Sequence, residues 1–365
     1  MPELISIIIP VYNNPDGLLK TLKSIRRLED DHYEVYAVDD GSAQPVVLPA
    51  EFQWCRIIRL PKNQGTGLAR NAAVRESKGT ILAFTDSDCS VPPDWLKVIR
   101  GIFADPAIHA AGGTFAEQEQ TNAILWLRFL ESTFYHLHEP TMVNCFTTAN
   151  FAIRRAAFEL ADGFPPMRIG EDLVLGYRLC KLGIEVLWQP ALTVQQNFRP
   201  TLMKYFQQQA NWSAGVLKIS LVYPEVHFLK WPVRRGTLNM QLGILAVSLA
   251  TLPVLLFRAP GAALPMATAA FGLLLLLNRT FLSYAASKTS LTNTVKIFFL
   301  AVFWRNSAWL WAILSVLIKH PAIFAAGAPR VALRGLRRGL PAPVIPHEEI
   351  SKIGCHPSLA AESLG

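Results

Sequence analysis

Four short polar segments carry the chemistry that this sequence offers. Asp86-Ser87-Asp88 closes an apolar run over 81–85. Its two carboxylates are two residues apart, so on an extended chain both point to one side. Paired hard oxygen donors suit a divalent cation that fills its other positions with phosphate oxygens. A turn or helix cap ahead of Pro92-Pro93 is the structural alternative. Asp39-Asp40-Gly41-Ser42 ends a second apolar run. It reads either as a turn or as carboxylates placed to meet a nucleobase imide N–H. Asn63-Gln64-Gly65-Thr66-Gly67 opens a helix with Arg70 and Asn71 one turn in. A helix start with a nearby Arg suits phosphate or base contacts, although the spacing is neither Walker A nor GxGxxG. Gly170-Glu171-Asp172 precedes the apolar helical face of Leu173, Leu175, Leu179 and Leu182. A helix N-terminus stabilises a carboxylate. Such a carboxylate is either a plain cap or a general base for an acceptor hydroxyl.

The elements that must position these groups follow from periodicity. The β-branched run 5–9, closed by Pro10, predicts a buried parallel strand. Asn13-Asn14-Pro15-Asp16 caps a helix whose apolar positions are Leu18, Leu19, Leu22, Ile25 and Leu28. Strands are expected over 34–38, 56–60 and 81–85, and a helix over 67–77 that stops at Gly79. Strand and helix alternating at this pace predict an α/β, doubly wound sheet. Ligands of such sheets bind beyond the carboxyl ends of the strands. Tyr12 and Asn13, Asp39 and Asp40, and Asp86 and Asp88 all stand at such ends.

Taken together, residues 5 to about 220 resemble a family 2 glycosyltransferase with the Rossmann-like GT-A fold. The pieces are Ser6-Ile-Ile-Ile-Pro-Val-Tyr-Asn13, Val38-Asp-Asp-Gly-Ser42, Asn63 to Asn71, Thr85-Asp-Ser-Asp88, Thr148-Ala-Asn-Phe-Ala-Ile-Arg-Arg155 and Gly170-Glu-Asp172. The resemblance implies inverting transfer of a sugar from a nucleotide-sugar donor. It implies that Pro10, Val11, Tyr12, Asn13, Asp39 and Asp40 hold the nucleobase end of the donor. Gly67, Arg70, Asp86 and Ser87 complete the donor site, and Asp88 with Asp86 holds Mg²⁺ or Mn²⁺ on the diphosphate. Asp172 is then the base, with Glu171 beside it, and Asn150, Gln208 and Trp212 face the acceptor, although Trp212 reads equally as a membrane-interface residue. The chemistry agrees: the leaving diphosphate needs its growing charge neutralised, and the base must stand across the sugar from the metal. Processive relatives carry Gln-x-x-Arg-Trp, whereas this chain has Gln208-Gln209-Ala210-Asn211-Trp212. Asn211 in place of Arg favours single-sugar transfer. UDP is the favoured nucleotide on the family's habit. The alternative is a glycosyltransferase-like binding or scaffold subunit that has lost turnover.

Composition adds the membrane. The 365 residues are 51% hydrophobic and only 17% charged, against about 25% charged in soluble domains. Lys+Arg of 35 against Asp+Glu of 27 gives +8, read as a membrane-surface effect. No basic-aromatic pattern argues for nucleic acid. The five cysteines are scattered without CxxC pairs, which excludes a zinc ribbon and fits a reducing compartment. The apolar excess lies in 238–257, 261–281 and 295–318, and a bilayer core takes about 20 apolar residues as helix. The third run is interrupted by Arg305 and Asn306. Two spans plus an interfacial or re-entrant third segment keep the basic clusters around Arg234 and Arg334 on one side. A charge in lipid is costly, so Arg305 is either part of a structural ion pair, a snorkelling charge, or a residue that faces an acceptor phosphate. The expected domains are 1–225, with a nucleotide half 1–115 and an acceptor half 116–225, then membrane helices in 226–320 and a basic, partly disordered tail 321–365. Residues 202–219 carry an apolar stripe suited to lying on the membrane. The start of the chain does not read as a signal peptide. The expected setting is a multi-pass protein of the inner cell membrane with its catalytic domain cytoplasmic, acting on a lipid-linked or glycan acceptor. Nothing in the sequence fixes the oligomeric state.

Overall fold

A computed structural model describes residues 2–116, 120–134, 139–197, 201–222, 244, 247–248, 251 and 254–319. Strand β1 (Ile5–Val11) is buried along its whole length, as an unbroken β-branched run requires when both faces are covered. Pro15 opens α1 (Pro15–Ile25), where its missing N–H would have had no helical partner. Then come β2 (Tyr33–Asp39), β3 (Arg56–Arg59), α2 (Thr66–Glu76) and β4 (Ile81–Thr85). The four strands are parallel in the order β3-β2-β1-β4. Val11 pairs with Asp39 and Ile8 with Phe84. Tyr12, Asp40 and Asp86 therefore leave the sheet along one edge.

The second half holds β5 (Cys89–Ser90), α3 (Trp95–Phe103), β6 (Ala110–Phe115), α4 (Ala123–Phe134), β7 (Thr141–Val143) and β8 (Asn150–Arg154). It continues with α5 (Arg155–Leu160), α6 (Glu171–Lys181), β9 (Val186–Gln196) and α7 (Leu202–Val222). The sheet extends as β4-β8-β6-β9, with β8 antiparallel to both neighbours. The doubly wound pattern expected from the sequence thus describes β3-β2-β1-β4, and the sheet becomes mixed beyond it. Periodicity reports burial, not strand direction, so this reversal is invisible in the sequence.

Alternation along β1 feeds two cores. Ile7 and Ile9 pack with Leu18, Leu22 and Trp95 on one face. Ile8 packs with Phe84, Phe151, Phe158 and Phe164 on the other. The Phe84 ring lies 5.7 Å from Phe158 and 5.4 Å from Phe164. Each buried side chain of this kind contributes about 1.5–3 kcal/mol, so the floor under Asp86 is stiff.

Asn150 corrects one expectation. It is fully buried and stitches the sheet instead of meeting an acceptor. Its Oδ1 accepts from Trp95 Nε1 at 3.0 Å, and its Nδ2 donates to Thr114 O at 3.0 Å and Leu192 O at 2.8 Å. The β6–β9 register shifts between Gly112 and Thr114. A Cβ on Gly113 would lie 2.1 Å from Leu192 O and 2.3 Å from Asn150 Nδ2. Only glycine lets the amide reach across that bulge.

Beyond the sheet lie α8 (Pro260–Lys288) and α9 (Leu291–Phe299), a π-helical stretch over Leu300–Arg305, and α10 (Asn306–Lys319). Among the described residues, two helical stretches, Gly261–Lys288 and Leu291–Val316, are long and apolar enough to cross a membrane. They contain the expected runs 261–281 and most of 295–318. The π-helical stretch sits where the sequence is irregular, and Asn306 there is buried with Nδ2 donating to Val302 O at 2.6 Å. Tyr205, Phe281, Ala285, Ile297 and Ala301 cluster with Trp126, Leu127 and Leu130. Trp304 Nε1 donates to Leu202 O at 3.2 Å. The apolar helices therefore dock on α4 and α7. Most of 238–257, the Arg305 side chain and the 321–365 tail lie outside the described residues.

Candidate active site

The edge formed by the strand ends is built by its own carboxylates. Pro10 and Val11 are inside β1, and Tyr12 is the exposed residue of that segment at 50%. Asn13 sits in the left-handed region with φ 50°. Its N–H donates to Ser42 Oγ at 2.9 Å and its Oδ1 accepts from Ala43 N at 2.9 Å. Asp39 is fully buried and accepts from Ser42 N at 2.9 Å and Val46 N at 3.1 Å, with Arg59 as its ion-pair partner. Burial alone would raise its pKa, but the Ser42 and Val46 hydrogen bonds and Arg59 together hold it below the usual value. Asp40 accepts from Gln64 N at 2.7 Å and Gly65 N at 2.9 Å. The Asp39-Asp40 pair thus builds the loop after β2 and fixes the entry to α2.

A buried ion-pair chain joins the two remaining acidic motifs. Arg70 on α2 is 1% exposed. Its Nη2 donates to Asp86 Oδ1 at 2.7 Å and its Nη1 to Glu171 Oε1 at 3.1 Å. Thr66 Oγ1 donates to the same Glu171 oxygen at 2.7 Å. The guanidinium lies 5.5 Å from the Phe164 ring centroid, and buried Gly67 packs beneath Glu171. Segments far apart in sequence therefore meet at one cation. Ser87 is held from the other side by Asn14, whose Nδ2 donates to Ser87 O at 3.3 Å and Oγ at 3.4 Å.

Asp88 and Asp172 flank this chain. Gln196 Nε2 donates to both Asp88 oxygens at 3.4 Å. Burial and the neighbouring Asp86 charge push the Asp88 carboxyl up to about 6. Asp172 lies in the first turn of α6, and its Oδ1 accepts from Leu173 N at 2.8 Å. Burial and the adjacent Glu171 charge push it up to about 7. Gly170, just before, has φ 83°, and a Cβ there would lie 2.3 Å from Ile219 Cδ1. Helix α7, which carries the apolar helices, therefore packs directly on the turn that presents Asp172.

Gln208 and Trp212 lie on α7. Trp212 is 47% exposed. Arg128 of α4 donates to Gln208 Oε1 and places its guanidinium 5.8 Å from the Trp212 centroid. Asn211 leaves α7 without a cation between these two residues, and α4 supplies one. Sequence reasoning missed Arg128, Thr66, Asn14 and Gln196. The lone Arg in the apolar stretch Ala123–Phe134 was a readable signal. The tertiary partners of Thr66, Asn14 and Gln196 had none.

Among the described residues, no group of three or more His, Cys, Asp or Glu gathers to hold a metal. A divalent ion here would rest on Asp86 and Asp88. The donor set fits: the oxygens are hard, and the raised Asp88 carboxyl, pushed up first by burial and then by the Asp86 charge, is one that a nearby cation would bring down. Such an ion supplies charge neutralisation for a departing diphosphate.

Residues 6–160 match the family model described as glycosyl transferase family 2. The chain is 26% identical over 233 residues to the pre-mycofactocin glycosyltransferase of Mycobacterium tuberculosis, covering 60% of this chain and 48% of that protein. It is 27% identical over 247 residues to an N-acetylglucosaminyltransferase of Sinorhizobium fredii, covering 60% and 59%. The chain thus spans about half the length of the curated relatives it matches. Among solved structures, the mannosyltransferase PcManGT from Pyrobaculum calidifontis, in complex with GDP-Man and Mn²⁺, aligns with TM-score 0.49 and 18% identity over 86% of this chain and 87% of that one. Residues 6–160 are thus similar to the glycosyl transferase family 2 model, and they lie on a mixed α/β sheet.

Proposed function

We propose that this protein is a membrane-anchored, inverting glycosyltransferase that moves one sugar from a nucleotide-sugar donor, a UDP-sugar on the family's habit, to a lipid-linked or glycan acceptor. The observation that carries the reading is the buried Arg70 bridge between Asp86 and Glu171. It ties Asp86, of the pair suited to a donor metal, to Glu171, the neighbour of the Asp172 carboxyl suited to a base. The relatives' sugar-transfer names and the two apolar helices support the same reading.

In this reading Mg²⁺ or Mn²⁺ rests on Asp88 and Asp86. Tyr12 gives the nucleobase an exposed ring at the end of β1. The loop after β2, braced by Asp39 and Asp40, shapes the rest of that pocket. Asp172 takes the proton from the acceptor hydroxyl as that oxygen attacks the anomeric carbon. One displacement inverts the centre, so no enzyme nucleophile is required. Glu171 is spent on Arg70 and Thr66, which makes it a positioning residue and leaves Asp172 as the base. The docking of α4 and α7 on the apolar helices favours an acceptor delivered at a membrane surface, with the catalytic domain on the cytoplasmic face.

The test is a panel of nucleotide sugars, with Mn²⁺ or Mg²⁺, read by donor binding and transfer. One donor is expected to bind in a metal-dependent way. Asp88→Asn should weaken that metal-dependent binding by about tenfold or more, or about 1.4 kcal/mol, and leave metal-free nucleotide binding unchanged. A wild-type protein that binds no donor in the panel refutes the reading.

A further inference from the structure

Helix α4 carries two charged residues, Arg128 and Glu131. Arg128 is half-buried between α4 and α7, helices that also carry the apolar docking cluster. Its guanidinium lies over the Trp212 ring at 5.8 Å from the centroid, a cation–π contact, and Gln208 orients one Nη. Tyr205, Glu131 and Asp88 are the groups whose charge it feels. Glu131, to which Tyr205 donates at 3.2 Å, is one counter-charge, and Asp88, of the Asp86-Ser87-Asp88 segment, is another. Half-exposed Trp212 shows that the pair borders an open surface. A guanidinium held between apolar helices is costly to keep for packing alone. Its planar fork matches phosphate oxygens.

We propose that Arg128, stacked on Trp212 and oriented by Gln208, is a binding site for a phosphate oxyanion beyond Asp88, on the side of the apolar helices. This rests on the glycosyl-transfer reading above. The oxyanion comes either from the donor diphosphate or from the phosphate of a lipid-linked acceptor. In the first case Arg128 steadies the leaving group as charge grows on it. In the second it anchors the acceptor beside Asp172.

The experiment titrates the detergent-solubilised full chain with two probes: UDP or GDP with Mn²⁺, and a polyprenyl monophosphate. Uridine or guanosine and the parent polyprenol are the phosphate-free controls. Arg128→Gln is expected to weaken one phosphate probe by about tenfold or more. Arg128→Lys should lose less, and the controls should bind as in wild type. The probe that weakens names the source of the oxyanion. Wild-type affinity of Arg128→Gln for both probes overturns the proposal. So does equal weakening of probes and controls, which reveals a packing role. A wild-type chain that binds neither UDP nor GDP refutes the glycosyl-transfer reading, and the proposal falls with it.

Discussion

Asp172→Asn is expected to lower sugar transfer by about 10²–10⁴-fold, the span of a lost general base, while donor binding stays at the wild-type level. The substitution removes little else. The Asn Oδ1 can still accept from Leu173 N, the bond that Asp172 makes at 2.8 Å. The side-chain volume is unchanged, so Gly170 and Ile219 keep their contact. What disappears is the ionisation, and its position fixes a second observable. Burial raises the Asp172 carboxyl to about 7, so the base form grows as pH rises through that value. Transfer should climb from acid to neutral pH and level off above about 7. The stability sign is opposite. A carboxyl whose folded pKa is raised above its ordinary 3.8 makes the folded state lose stability as pH rises from about 4 to about 7. Asp172→Asn should therefore melt at or above the wild-type temperature in mildly alkaline buffer. Rate against pH and thermal unfolding of both proteins check this. A variant that transfers sugar at the wild-type rate removes Asp172 from the role of base.

The same residues show what a sequence discloses and what it withholds. β1, β2, β4 and the helix start at Gly67 were legible because period and punctuation are local properties. The apolar runs 261–281 and 295–318 were legible because the bilayer length is a one-dimensional measure. Asn150 was misread because it lies in a recognisable segment, yet its amide is consumed by a bulge formed with β6 and β9. Asp39 and Asp40 were left open between a turn and a nucleobase contact. Their hydrogen bonds to Ser42, Val46, Gln64 and Gly65 realise the turn. Arg70 was read as a phosphate contact at a helix start. Its actual partners, Asp86 and Glu171, come from two other segments, and no spacing rule encodes a partner that distant. The same holds for Arg128, visible as a lone cation in an apolar helix but unassignable until α7 lies beside it.

Arg70 is where the largest combined loss is expected. Arg70→Met keeps the length of the side chain and much of its contact with Phe164, and removes the charge between Asp86 and Glu171. Breaking a buried ion pair by deleting one partner costs about 3–5 kcal/mol, because the surviving charge stays buried. Glu171 keeps only 10% of its side chain exposed and Asp86 keeps 31%. Solvent therefore screens the Asp86 side, and the lower end of that range is expected. Arg70→Lys should fall between, since one ammonium cannot reproduce planar contacts of 2.7 and 3.1 Å to two carboxylates. Adding Glu171→Gln to Arg70→Met removes the stranded charge and should return part of the stability. It should not return transfer, because neither Asp86 nor the turn before Asp172 regains its brace. This separation of stability from activity distinguishes a residue that aligns two halves of a site from one that only fills the core. Thermal unfolding and transfer rates of the three variants measure it. Full recovery of transfer in the double variant would show that the Arg70 bridge has no part in aligning Asp86 with Asp172.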